Sequence, residues 1–165
     1  MTAPTLELDI DPVWGDTIDW EDLAASTAEA TAVEVPQIAH ASILVSVVLA
    51  DDDEVHALNR QWRAKDKPTN VLSFPMIAPE ELDDIDDRSP TMLGDIVLAH
   101  GVCMREASEK SVALANHATH LLVHGLLHLC GYDHETGETE AEAMEALETR
   151  ILKRLGISDP YGETA

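Results

Sequence analysis

The sequence predicts an α+β (mixed α/β) domain in which about five helices pack on a small four-stranded mixed sheet. Three observations point there. Four short runs rich in Val, Ile and Leu alternate with stretches of helical periodicity. The most apolar run, His40 to Ala50, is too short to span a bilayer and suits a central strand. The longest helical stretch, about Val112 to Cys130, carries a row of histidines. At 165 residues, the chain reads as one domain over 1–165, large enough to bury a core without staples.

In chain order, Leu6, Leu8 and Ile10 alternate with Glu7 and Asp9, the pattern of a half-buried strand. Asp19 to about Glu34 follows as an Ala- and Glu-rich helix with Leu23 on its apolar face, capped by Asp19. After the central strand, Asp51-Asp52-Asp53-Glu54 places N-cap candidates and favourable charge at a helix start. Val55, Leu58, Asn59 and Trp62 mark that helix's inner face. Asn70 to Met76 reads as a strand, with Pro75 marking an edge or an end. Ala78 to Pro90, with six acidic residues and two prolines, reads as an exposed loop. Met92 to Ala99 is a further strand, in which Gly94 suggests a bulge or a close approach of another group. His100 to Lys110 is a short helix, and the histidine-bearing helix comes next. Asp133 to Gly137 is a turn, and Glu138 to Leu155 is a last helix with Met144, Leu147, Ile151 and Leu155 on its inner face, stopped by Gly156. The tail, residues 158–165, is expected to fray.

The totals narrow the function classes. Two cysteines, Cys103 and Cys130, do not make a disulfide framework. No signal peptide and no membrane span are expected, and a reducing cytoplasm is the simplest compartment. The formal charge of −22 disfavours long-range attraction to nucleic acid. Its distribution matters more: all ten Lys and Arg residues lie after position 59, and Arg60, Arg63, Lys65 and Lys67 form a local cluster. RNA binding would have to rely on that cluster at close range. Aromatic residues make up 4% of the chain, which argues against a stacking platform and leaves phosphate contacts and groove shape.

The chemistry concentrates in His124-Gly125-Leu126-Leu127-His128-Leu129-Cys130-Gly131-Tyr132-Asp133-His134. Residues four apart share a helix face, so His124 and His128 can aim at one point. Gly131 sits where a helix ends in the left-handed conformation, and the reversal can bring His134 back as a third ligand. Three imidazoles with a fourth position left to water is the ligand set of catalytic zinc, one ion per chain. The spacing matches the metzincin pattern H-E-x-x-H-x-x-G-x-x-H except that Gly125 replaces the glutamate that serves as general base.

H-G-L-L-H-L-C-G-Y-D-H at 124–134, R-A-K-D-K-P-T-N-V-L-S-F-P at 63–75 and L-G-D-I-V at 93–97 together resemble the bacterial YbeY family over roughly residues 40–161. That resemblance implies a zincin-like fold and a metal-dependent endoribonuclease specific for single-stranded RNA. Its implied setting is 16S ribosomal RNA 3′-end maturation and ribosome quality control, with ribosome or ribosomal proteins as partners. It also implies His124, His128 and His134 as zinc ligands, and Arg63 as the basic residue facing the site.

Other residues keep two readings each. His120 lies on the same helix face as His124, as a packed or supporting histidine or as a rival ligand. Arg63 is a phosphate-holding fork or an ordinary exposed cation. Lys65 and Lys67 would steer the RNA backbone. Asp133 and Asp95 are acceptors for a ligating imidazole or simply turn and strand residues. Ser73 lines the cleft or satisfies its own loop. Two rival functions remain: a non-catalytic, zinc-containing ribosome-assembly factor, and a metallopeptidase, which Gly125 weakens.

Overall fold

In the computed structural model, which describes residues 2–65, 69–132 and 137–158, four strands form one mixed sheet. They are β1 (Thr5–Ile10), β2 (Ile43–Ala50), β3 (Val71–Pro75) and β4 (Thr91–Ala99). The helices are α1 (Trp20–Glu34), α2 (Asp52–Arg63), α3 (His100–Lys110), α4 (Leu114–Leu129) and α5 (Glu138–Arg154). The sheet order is β1-β2-β4-β3, with β1, β2 and β4 parallel and β3 antiparallel at the edge. The α+β class expected from the sequence is the class observed. Among the described residues, no helix is long and apolar enough to cross a membrane.

Local signals account for most boundaries. The Asp19 carboxylate accepts from Asp22 N at 3.0 Å to start α1, and Asp51 does the same for Glu54 N at 2.8 Å to start α2. Asp52 reaches across to accept from Gly101 N and Val102 N, which caps α3 from a neighbouring helix. At the end of α4, Gly131 N donates to His128 O and Tyr132 N to Leu127 O, both at 3.0 Å. This reversal turns on Gly131 at φ +97°. Helix α4 begins at Leu114 rather than Val112, because Ser111 closes α3 in the left-handed conformation.

Period-two alternation in the strands divides the core in two. Ile43, Val45, Val47 and Leu49 of β2 face the larger cluster, built with α1, α4 and α5. Ala50, Leu72, Val97 and Ala99 face the smaller one, closed by Val55 of α2 and Val102 of α3. The helices therefore flank the sheet on both sides. Two expectations need correction. The acidic stretch 78–90 is not wholly exposed, since its Pro79–Asp84 3-10 turn buries Leu82 in the main core. Trp62 is on the helical stripe of Val55 and Asn59 but is 64% exposed.

Gly94 fulfils both readings of a strand glycine. The pairing of β2 with β4 skips Leu93, so a bulge sits beside it. A Cβ at 94 would lie 2.5 Å from Phe74 O and 2.6 Å from Leu129 Cδ2. The strand thus lets β3 and α4 close in together. Gly94→Ala should lower stability by about 1–3 kcal/mol, the usual range for overpacking. A shift of the urea midpoint at constant slope would show it; an unchanged midpoint would mean that β3 and α4 can yield.

Candidate metal centre

Helix α4 presents His117, His120, His124 and His128 on one stripe, and two carboxylates from neighbouring helices meet it. Glu106 on α3 takes His117, whose Nε2 lies 2.8 Å from Glu106 Oε1. Glu148 on α5 takes the next two: its Oε1 is 2.5 Å from His124 Nδ1 and its Oε2 is 3.5 Å from His120 Nε2. Glu148 is fully buried, between Met144, Leu147, Ile151 and Leu152 of the same helix. A carboxylate so placed is costly unless it is hydrogen-bonded. As an ionised acceptor, it selects the His124 tautomer that carries its proton on Nδ1 and leaves a lone pair on Nε2.

That lone pair points at His128. The two Nε2 atoms are 3.0 Å apart, with ring centroids separated by 4.6 Å and planes at 76°. Two imidazole nitrogens converging on one point, one braced from behind by a carboxylate, is the donor arrangement of a histidine metal site. The residues present therefore fit a zinc ion. His124 and His128 could hold it; His134, expected as third ligand, lies outside the described residues, as do Asp133 and Lys67. Among the described residues, no group of three or more potential metal-holding side chains forms.

Gly125 has a packing reason. A Cβ there would lie 3.0–3.2 Å from three Ile96 side-chain carbons, so α4 sits on β4 as closely as a glycine allows. The position occupied by glutamate in the protease pattern here faces the sheet. Cys130 is buried, and burial pushes its thiol up to about 12, so it stays protonated and belongs to the core.

The other sequence candidates are dispersed. His120 lies beside Glu148, its Nε2 3.5 Å from Oε2. Ser73 alternates with Leu72 and Phe74, which pack in the smaller cluster, and so lies on the α4 face of edge strand β3. Asp95 lies on the opposite face, paired with Ser46 and Phe74, and strand alternation keeps it from the histidines. Arg63 and Lys65 are exposed at the end of α2, where the chain turns on Ala64 in the left-handed conformation. Asn70 donates to both Glu106 oxygens, at 3.0 and 3.3 Å, and so anchors the start of β3.

Sequence reasoning missed Glu148. The available signal was its spacing: it follows Met144 by four and precedes Ile151 by three, which puts a glutamate in the middle of an apolar stripe. Glu106 gave no comparable signal. Burial pushes its carboxyl up, but the hydrogen bonds from His117 and Asn70 outweigh this and hold it below the ordinary value of 4.5. Burial holds the His117 imidazole below 6.5, against the pull of Glu106.

A model of the Endoribonuclease YbeY family matches residues 13–156. A Novosphingobium aromaticivorans protein named endoribonuclease YbeY is 68% identical over 163 residues, 98% of each chain. Relatives with the same name from Erythrobacter litoralis and Rhizorhabdus wittichii are 51% and 55% identical, over 96% and 93% of this chain and 98% and 94% of theirs. A solution structure from Thermotoga maritima shares the fold, with a TM-score of 0.55 at 23% identity over 96% of this chain and 99% of that one.

Replacing Glu148 by Gln should keep a hydrogen bond to His124 but remove the charge, lowering zinc affinity about 10- to 100-fold. Competition with a chromophoric chelator measures this, and wild-type affinity in the variant would remove Glu148 from the site. A pH dependence follows from Glu106 and His117. Both have folded values below their ordinary ones, so the unfolded chain takes up protons first on acidification. Stability linked to His117 is present above 6.5 and lost below it, and that linked to Glu106 is lost below 4.5. The thermal midpoint of wild type should therefore fall more steeply below pH 6.5 than that of His117→Gln; parallel curves would refute the assignment.

Proposed function

The chain belongs to the YbeY endoribonuclease family, and from that premise we propose that it cleaves single-stranded RNA with one zinc ion held by His124, His128 and His134. The observation that carries this reading is the converging Nε2 pair of His124 and His128, with Glu148 buried behind His124. When bound, zinc supplies a Lewis acid and acidifies a water to a pKa of about 7.

The chain's own residues supply the rest. Glu148 keeps His124 in the ligating tautomer, and His120 shares that carboxylate. Arg63 is the catalytic cation: its planar fork would hold two oxygens of the scissile phosphate and meet the charge that develops there. Lys65 and Lys67 would follow the flanking backbone, Ser73 on β3 would line the strand's path, and Asp133 would accept from a ligating imidazole. A glutamate beside the metal would repel an anionic phosphate, so the glycine at 125 suits RNA better than a peptide. Attack by water and attack by the RNA's own 2′-hydroxyl leave different end groups, which identify the nucleophile. The substrate in this reading is the 16S ribosomal RNA precursor, cut during 3′-end maturation and ribosome quality control in the cytoplasm.

Single-turnover cleavage of a defined single strand, with and without chelator, tests the proposal. Arg63→Ala should cut at least about 100-fold more slowly while zinc content stays at wild-type level, the loss expected when one charge-stabilising donor is removed. His124→Ala should lose both zinc and cleavage. RNA cleavage that survives in His124→Ala would point to a contaminating nuclease. A zinc-replete wild-type protein that leaves RNA intact would favour an assembly factor in which the metal is structural.

A further inference from the structure

Helix α2 ends on a ring that the fold leaves uncovered. Its inward stripe runs through Val55 and Asn59, which are 0% and 2% exposed, to Trp62 at 64%. The other two tryptophans, Trp14 and Trp20, are buried, and Trp14 donates its indole N–H to Ala50 O at 2.9 Å. Single apolar side chains on a surface are ordinary, so exposure alone assigns nothing. The surrounding charge is what distinguishes this one. Arg63 follows Trp62 directly, Lys65 is two further on, and Arg60 precedes it, in a chain of formal charge −22 whose first 59 residues hold no Lys or Arg. The exposed indole sits in a locally cationic segment of an acidic protein.

We propose that Trp62, with Arg63 and Lys65, forms a subsite that stacks one unpaired nucleobase of the RNA substrate while the two cations meet its phosphates. This rests on the endoribonuclease reading and deepens it by naming what selects single strands. An indole offers its face to any base, so the subsite tolerates sequence, but it requires a base whose own face is free. A duplex hides those faces. A single ring is consistent with the scarcity of aromatics, since a multi-residue platform is not needed. A basic, aromatic surface also suits protein contacts, but the run of cations favours a phosphate backbone.

The test uses full-length, zinc-loaded protein and a non-cleavable 2′-O-methyl single-stranded oligoribonucleotide. Comparison ligands are its duplex and a version with one abasic position moved along the strand. Single strands should quench the emission of exposed Trp62, and duplex should not. Trp62→Ala should weaken binding about 5- to 150-fold, the range for one stacked base, and Trp62→Phe should retain most of the affinity. One abasic position should cost wild type as much as the Ala substitution does, and cost Trp62→Ala nothing more. In cleavage assays the loss should appear in KM. Equal binding by wild type and Trp62→Ala, in a protein that still cleaves RNA, would overturn the subsite and leave the endoribonuclease reading intact. So would RNA binding that is unchanged in Trp62→Ala while capture of a ribosomal protein is lost. Wild type that neither binds nor cuts RNA would overturn both.

Discussion

A carboxylate with no exposure to water, wedged between two helices, is the constraint on which the site depends. Glu148 enters from α5 and meets His124 and His120 on α4. Its burial is tolerable only because an imidazole N–H donates to it. The same bond fixes the ring of His124, so the helix pairing that completes the core also sets the direction of its Nε2 lone pair. Packing and chemistry are here one arrangement. The α1–α5 contact reinforces it from outside, where Glu34 receives Arg150 and Arg154 at 3.0 and 2.7 Å.

What the sequence disclosed depended on the range of the interaction. The four strands, the five helices, the Asp19 and Asp51 caps and the Gly131 reversal were legible because each is set by residues within a turn or two. So was the shared face of His124 and His128. Glu148 and Glu106 were not, since their roles arise only when α5 and α3 dock on α4. The exposure of Trp62 was likewise hidden: helical spacing tells which way a side chain points, not whether the fold covers it. Of the two readings kept for Asp95, strand alternation favours the plain strand residue, a choice that only the sheet's orientation makes visible. Leu82 lay concealed among carboxylates whose charge suggested solvent.

The sheet divides the labour. One face carries α4 with its histidines; on the other, Val55 of α2 closes the smaller cluster. Asn70 ties the start of that strand to α3 through Glu106, and His117 ties the same carboxylate to α4. The start of β3 is thus referenced to the histidine-bearing helix by side-chain bonds.

The turn after α4 carries a further implication, for the order in which the molecule assembles. A Cβ at Gly131 would lie 2.6 Å from the Pro79 ring, so this turn is seated against the acidic excursion between β3 and β4. The two contacting residues are separated by about fifty positions, and such a closure is made late relative to local helix formation. The reversal that ends α4 therefore gains its backing only after β3 and β4 have paired.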